Sequence, residues 1–176
     1  MGSRKRLAEV AERLARTPFH GNTMGLRSNL SVLTDHFPRG PRGDFKRKWC
    51  AAFVYHCCIQ AGFDIPARHP EPVSCSFAGV LSWIQWAKLP QNRFYFSARN
   101  LHFRPRRGDI VVYDRVFDPG PHDHIGVLLS SDKKGLVVAE GNVNDISAVP
   151  RRERNRHIRG YIRIPNTYEY PPATQS

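Results

Sequence analysis

The chain has 176 residues, of which 40% are hydrophobic and 24% are charged, so its length and composition suit one globular core and argue against a disordered chain. Its net charge of +12 indicates a polyanionic partner, for which nucleic acid, an anionic membrane and bacterial wall polymers all qualify. Because no run of about 18 apolar residues is present, the sequence predicts no transmembrane segment.

The first predicted element is a helix over residues 4–16. Leu7, Val10 and Leu14 recur at the spacing of one helical face, with Arg and Glu on the other positions. Residues 17–48 are rich in Gly, Pro, Asn and Arg, which predicts loops with little regular structure.

The basic N-terminal segment lacks the apolar stretch of a signal peptide. Synthesis in the cytoplasm is therefore expected, with release or delivery by other machinery.

Two more helices are predicted before the sheet begins. The segment after Trp49 predicts a helix for which Gly62 is the C-terminal cap. The next helix is predicted over 76–88, with Ser74 or Ser76 as its N-cap.

After Gly108 the hydrophobic period changes to two, the period of β-strands. Besides a short strand near 94–96, the predicted strands are 109–114, 124–130, 136–142 and 158–164. Helices first and strands later predict an α+β fold, in which helices pack on one face of an antiparallel sheet.

The strands 124–130 and 136–142 flank the loop "SDKKG", which has hairpin length. If the chain folds about Lys133, His124 faces Asn142, and a slip of two positions places it beside Glu140. Glu140 and Asn142 are two residues apart, so both are expected on one face of the strand. An imidazole near a carboxylate and an amide is the orienting half of a nucleophile–base site.

Two cysteines are candidate nucleophiles. Cys50 lies in the first turn of its predicted helix, where free N–H groups and the helix dipole favour a thiolate and can hold an oxyanion. Cys75 also lies near a helix start, so spacing alone leaves the choice between the two open. Cys57 and Cys58 lie deeper in the helix and are expected to serve packing.

The four cysteines show no C-x-x-C pair, and the spacing of a zinc site is missing. The sequence therefore predicts free thiols, no metal and no cofactor.

Four segments in order resemble the CHAP family of cysteine, histidine-dependent amidohydrolases and peptidases, which belongs to the papain-like, NlpC-type superfamily. They are "WCAAFVYHCCIQAGF" (49–63), "RRGDIVVYD" (106–114), "HDHIGVLL" (122–129) and "AEGN" (139–142). The resemblance implies a papain-like CHAP fold and covers 49–164. It divides the chain into an N-terminal helix and basic loop extension (1–48), a catalytic domain (49–165) and a C-terminal tail (166–176).

The resemblance implies a role for each matching residue. Cys50 is the nucleophile, His124 is general base and acid, Glu140 orients the imidazole, and Asn142 is a further polar member of the site. This implication favours Cys50 over Cys75.

Three neighbours of these residues are the predicted substrate contacts: Trp49, His122 and Asp123. His122 has the same strand parity as His124 and competes with it as the base, but the motif places the base directly before "IGV", which is His124. The polar segment "DRVFDPGPHD" is expected to line the cleft.

The implied activity is hydrolysis of peptidoglycan amide bonds, by an N-acetylmuramoyl-L-alanine amidase or an endopeptidase of the lysin or toxin kind. Its expected partners are peptidoglycan or muropeptides, an anionic wall polymer, and an immunity or inhibitor protein. One alternative is a thiol amidase or peptidase with a non-wall substrate. The other is a basic nucleic-acid-binding module with structural cysteines, which the absence of an aromatic-interleaved recognition motif disfavours, so no nucleic acid is expected.

Overall fold

The computed structural model describes residues 2–22, 25, 27–37, 48–68 and 76–170. Within them lie four helices, α1 (Arg4–Arg16), α2 (Ser31–Thr34), α3 (Cys50–Gln60) and α4 (Val80–Lys88). The strands of the same residues are β1 (Tyr95–Ser97), β2 (Ile110–Tyr113), β3 (His124–Asp132), β4 (Gly135–Val143), β5 (Ile146–Ala148), β6 (Arg151–Arg152) and β7 (Ile158–Ile162).

All strand pairs are antiparallel, in the order β1-β7-β2-β3-β4-β5, with β6 also paired to β4. The helices α1 and α3 pack on β3 and β4, and their apolar side chains form one large buried core with the sheet. The predicted α+β fold is thus confirmed. No helix of the described residues is both long enough and apolar enough to span a membrane.

The helix α1 has the bounds that its apolar spacing predicts. The side chain of Ser3 caps it by accepting a hydrogen bond from the backbone N–H of Arg6. Its stripe, including Leu7 and Leu14, is buried against α3 and the sheet. The expectation of loops over 17–48 is wrong in part, because α2 forms there, whereas residues 38–47 lie outside the described part of the chain.

The helix α3 is buried on almost every side, since α1 and α2 cover the faces that the sheet leaves open. Gly62 follows it with a φ of 87°, so the predicted left-handed cap is confirmed. Cys57 and Cys58 are fully buried, and burial raises the pKa of both thiols, in agreement with a packing role.

The prediction for the start of α4 is wrong. The helix begins at Val80, because 76–79 form a turn in which the Gly79 N–H donates to the carbonyl of Ser76 at 3.0 Å. The hydroxyl of Ser82 donates to the same carbonyl. Ser76 thus closes a turn before the helix, and the alternative cap, Ser74, lies outside the described residues.

The hairpin β3–β4 has the predicted register near the site. Gly126 pairs with Glu140, and Val127 pairs with Ala139, as folding about Lys133 requires. The register then shifts by one residue between Leu128 and Ser130, so that Asp132 pairs with Gly135. The turn is therefore a two-residue loop of Lys133 and Lys134.

Gly141 allows β4 to pack closely on α3. A Cβ at this position would lie 2.6 Å from Cβ of Phe53 and 2.8 Å from Cζ3 of Trp49. We therefore expect Gly141→Ala to lower the free energy of unfolding by about 1–3 kcal/mol, because overpacking displaces both rings. Urea denaturation measures this loss. Gly120→Ala is the matched control, since nothing lies within 4 Å of its Cβ position, and an equal loss in both variants would contradict the packing argument.

Candidate active site

Three elements bring a thiol, an imidazole and a carboxylate together. Cys50 is the first residue of α3, His124 is the first of β3, and Glu140 lies in β4. Nε2 of His124 lies 2.9 Å from Oε2 of Glu140, and both side chains are buried, with 1% and 0% exposure. The prediction placed Glu140 beside His124 only after a slip of two positions, but the two side chains meet directly in the register without that slip.

Gly126 makes this pair sterically feasible. It lies opposite Glu140 across the hairpin, and a Cβ there would lie 2.7 Å from Cγ of Glu140. Without that Cβ the glutamate side chain crosses the strand diagonally and reaches His124. The absence of a side chain at Gly126 thus leaves the space through which Glu140 reaches His124.

The thiol of Cys50 lies close enough to the imidazole of His124 to interact with it, and this interaction contributes to the raised pKa of His124. Because Nε2 faces Glu140, Nδ1 is the ring nitrogen that remains for the thiol. Burial opposes the charged imidazole, but the hydrogen bonds and charges of Cys50 and Glu140 outweigh burial and raise the pKa of His124 to about 9. An imidazole held next to the thiol in this way can take up its proton, which activates the sulfur as a nucleophile.

The position of Cys50 also supplies hydrogen-bond donors. The first intrahelical bond of α3 runs from the Phe53 N–H to the Trp49 carbonyl, at 3.0 Å. The N–H groups before Phe53 have no acceptor within the helix, and the positive end of the helix dipole lies there. These groups can stabilise an oxyanion that forms next to the sulfur.

One contact of the site was missed by the sequence analysis. Arg152, in β6, holds both oxygens of Glu140, with Nε 3.1 Å from Oε1 and Nη2 2.5 Å from Oε2. Arg152 lies ten residues after Asn142, where the last motif ends. It belongs to a run of arginines, and the sequence does not indicate which of them turns inward.

The loop 115–122 covers the His124–Glu140 pair. The ring of Phe117 stands edge-on to the imidazole of His124, with centroids 4.8 Å apart, and it lies under the guanidinium of Arg152 at 5.3 Å. Asp118 in this loop forms an ion pair of 2.5 Å with Lys48, just before α3. The expected proximity of this polar segment to the site agrees with these contacts.

Asp123 fixes this loop. Its Oδ2 accepts hydrogen bonds from the N–H groups of Val116, Phe117 and Asp118, at 2.8, 2.6 and 3.0 Å. The carboxylate is buried, with 9% of the residue exposed. These contacts favour a loop anchor over the predicted substrate contact.

We expect Asp123→Ala to loosen this loop. Loss of three backbone acceptor contacts removes on the order of 1–3 kcal/mol of local stability, so the amide protons of Val116 and Phe117 exchange about tenfold faster or more. Hydrogen exchange with mass spectrometry measures this. Asp118→Ala is the control, because its carboxylate pairs with the Lys48 side chain. Unchanged exchange in Asp123→Ala would show that the loop is held by other contacts.

The other predicted substrate contacts are placed as follows. Trp49 is fully buried, and its Nε1 donates to Oδ1 of Asp145 at 3.2 Å, which argues against contact with a substrate. His122 has a φ of 56° and precedes β3, so the strand parity used for it does not apply. Its Nδ1 lies 3.5 Å from Oδ1 of Asp114, away from the Glu140 carboxylate that pairs with His124.

Asn142 does not continue the strand geometry of Glu140. Its φ is 60°, and the pairing of β4 with β5 shifts register between Glu140 and Val143. The alternation that placed the two side chains on one face therefore fails at this bulge. The role of Asn142 stays a prediction, as do those of Cys50, His124 and Glu140. The rival thiol, Cys75, lies outside the described residues.

Comparison with known proteins supplies the family. No curated protein and no solved structure is significantly similar to the chain. The family model of the CHAP domain matches residues 42–142, which is more than half of the chain and includes Cys50, His124 and Glu140. The chain therefore belongs to the CHAP domain family, and this membership implies a hydrolase with amidase or peptidase activity.

Proposed function

We propose that the protein is a cysteine hydrolase that cleaves amide bonds of bacterial peptidoglycan. The observation that carries the proposal is the buried chain of contacts from Cys50 through His124 to Glu140. A thiol with an oriented imidazole is the arrangement of an activated cysteine nucleophile. Peptidoglycan is the typical substrate of the family, and the charge of +12 supports binding to an anionic wall polymer.

The proposed reaction uses the residues of the candidate active site. His124 takes the proton of the Cys50 thiol, the sulfur attacks the amide carbonyl carbon, and the N–H groups at the start of α3 stabilise the oxyanion. The C–N bond then breaks, and the imidazolium of His124 gives its proton to the leaving amine. The neutral imidazole next takes a proton from water, which attacks the thioester. The C–S bond breaks, and the acid product leaves the thiolate–imidazolium pair restored.

Digestion of purified peptidoglycan, with mass spectrometry of the fragments, tests the proposal. An N-acetylmuramoyl-L-alanine amidase releases peptides with a free N-terminal alanine and leaves a free lactyl group. An endopeptidase releases cleaved stems or crossbridges. His124→Ala serves as the inactive control, because it removes the proton carrier.

Two results would count against the proposal. Equal digestion by the parent and by His124→Ala would contradict the mechanism. No digestion of peptidoglycan, together with hydrolysis of soluble amides that His124→Ala cannot perform, would favour the alternative of a thiol amidase with a non-wall substrate.

A further inference from the structure

We infer that Arg152 is a positioning residue of this active site, which holds Glu140 ionised and in place so that Glu140 can orient His124. The inference rests on the proposed roles of Cys50 and His124. It adds a residue beyond the family match, which ends at residue 142.

The contact between Arg152 and Glu140 is a two-point contact. The guanidinium meets both carboxylate oxygens, so the carboxylate cannot rotate without losing a hydrogen bond. One of these oxygens, Oε2, is also the partner of Nε2 of His124. The orientation of Arg152 thereby sets the orientation of the acceptor that the imidazole meets.

Burial makes a second cation necessary at Glu140. The carboxylate is fully buried, and a buried carboxylate takes up a proton unless cations or hydrogen bonds offset its lost hydration. Burial raises the pKa of Glu140, but the hydrogen bonds and charges of His124 and Arg152 outweigh it and leave this pKa below its usual value.

Tyr113 also faces Glu140 among the described residues, but it cannot replace Arg152. Tyr113 of β2 lies near the carboxylate, but among the described residues its hydroxyl has no hydrogen bond of ordinary geometry. Burial raises the pKa of Tyr113 well above its ordinary value, so the phenol stays neutral. The charges from β3 to β6 therefore alternate, as imidazolium, carboxylate and guanidinium.

Neighbouring contacts hold Arg152 in this position. The backbone of Arg152 pairs with Leu136 of β4, and the ring of Phe117 lies 5.3 Å from the guanidinium. Beyond the guanidinium lies an open cavity of about 270 Å³, which Tyr113 and Arg151 also line. Arg152 thus contacts the buried carboxylate and also borders this cavity.

The test measures the ionisation of Glu140 directly and needs no substrate. Protein labelled with 13C at the glutamate carboxyl carbon is titrated by NMR, and the Glu140 signal is assigned by its loss in Glu140→Gln. In Arg152→Gln we expect the titration midpoint of Glu140 to rise by about 1–3 pH units, because a guanidinium in contact lowers a carboxyl pKa by about that amount. Arg152→Lys, which keeps the charge but loses the fork, is expected to give a smaller rise.

Arg151→Gln is the matched control. It removes the same charge one residue away, from an arginine whose partner is the exposed Asp132, and should leave the Glu140 midpoint at the parent's value. On the proposed substrate, Arg152→Gln should lower kcat about tenfold with KM nearly unchanged, and Arg152→Lys should recover part of kcat.

Two outcomes would overturn the inference. One is an Arg152→Gln midpoint equal to that of Arg151→Gln. The other, which holds even if Arg152→Gln does not fold, is a parent protein in which Glu140 titrates above the usual range of glutamate. If the parent fails to digest peptidoglycan, the NMR titration still tests the role of Arg152. That failure would count against the proposed substrate instead.

Discussion

Cys50→Ala is expected to lower the rate of amide hydrolysis by about a thousandfold or more, since no other described thiol can receive the help of His124. Cys57 and Cys58 are fully buried within α3, and burial raises the pKa of both, so neither supplies a thiolate. Initial rates on peptidoglycan, with thermal melts to verify folding, measure the effect.

Cys58→Ala is the matched control for this variant. It makes the same change in the same helix, in a buried position, and should lower stability while the rate per folded molecule stays near that of the parent. A Cys50→Ala protein that keeps more than about a tenth of the parent rate would refute a nucleophilic Cys50, because loss of a nucleophile costs far more than that.

Glu140→Gln is expected to lower kcat about a hundredfold and to move the alkaline limit of activity to lower pH. In the parent the imidazolium persists until the pH rises through the His124 pKa of about 9. Glu140 is one of the groups that raise this pKa, so its neutral amide lets His124 lose its proton at a lower pH. In Glu140→Gln, His124 therefore loses the proton that it gives to the leaving amine at a lower pH than in the parent.

The profile of kcat/KM against pH measures this shift, because it reports the ionisations of the free enzyme. Glu153→Gln is the control, since this exposed glutamate borders the cavity near Arg152 and its loss removes the same charge. The alkaline limit should move by about one pH unit or more in Glu140→Gln and stay in place in Glu153→Gln. A shift of equal size in both would mean that the effect is a general change in net charge.

The sequence predicted those parts of the fold that follow from local periodicity. The stripe with Leu7 and Leu14 predicted the bounds of α1, and folding the strands 124–130 and 136–142 about Lys133 predicted the register in which Gly126 pairs with Glu140. In both cases the buried face repeats along one element, so neighbouring residues carry the signal.

The parts that were not predicted depend on contacts between distant segments. The indole of Trp49 is buried against Asp145, and Arg152 reaches Glu140 from a strand of two residues that shows no alternation. The backbone of Asn142 is left-handed, which strand periodicity does not reveal. The pattern therefore placed Glu140 and Asn142 near His124 without choosing between them, and it did not predict the cation that contacts Glu140.

The close fit of β4 against α3 at Gly141 links the reactivity of the thiol to the folded state. Cys50 and His124 lie on separate elements, and their side chains meet only when α3 is packed on the hairpin. In the unfolded chain the Cys50 thiol has no imidazole beside it. The thiol therefore becomes an imidazole-assisted nucleophile only when the chain folds. Alkylation of Cys50 in weak acid, where unassisted thiols react slowly, would then count the fraction of molecules in which the helix has docked.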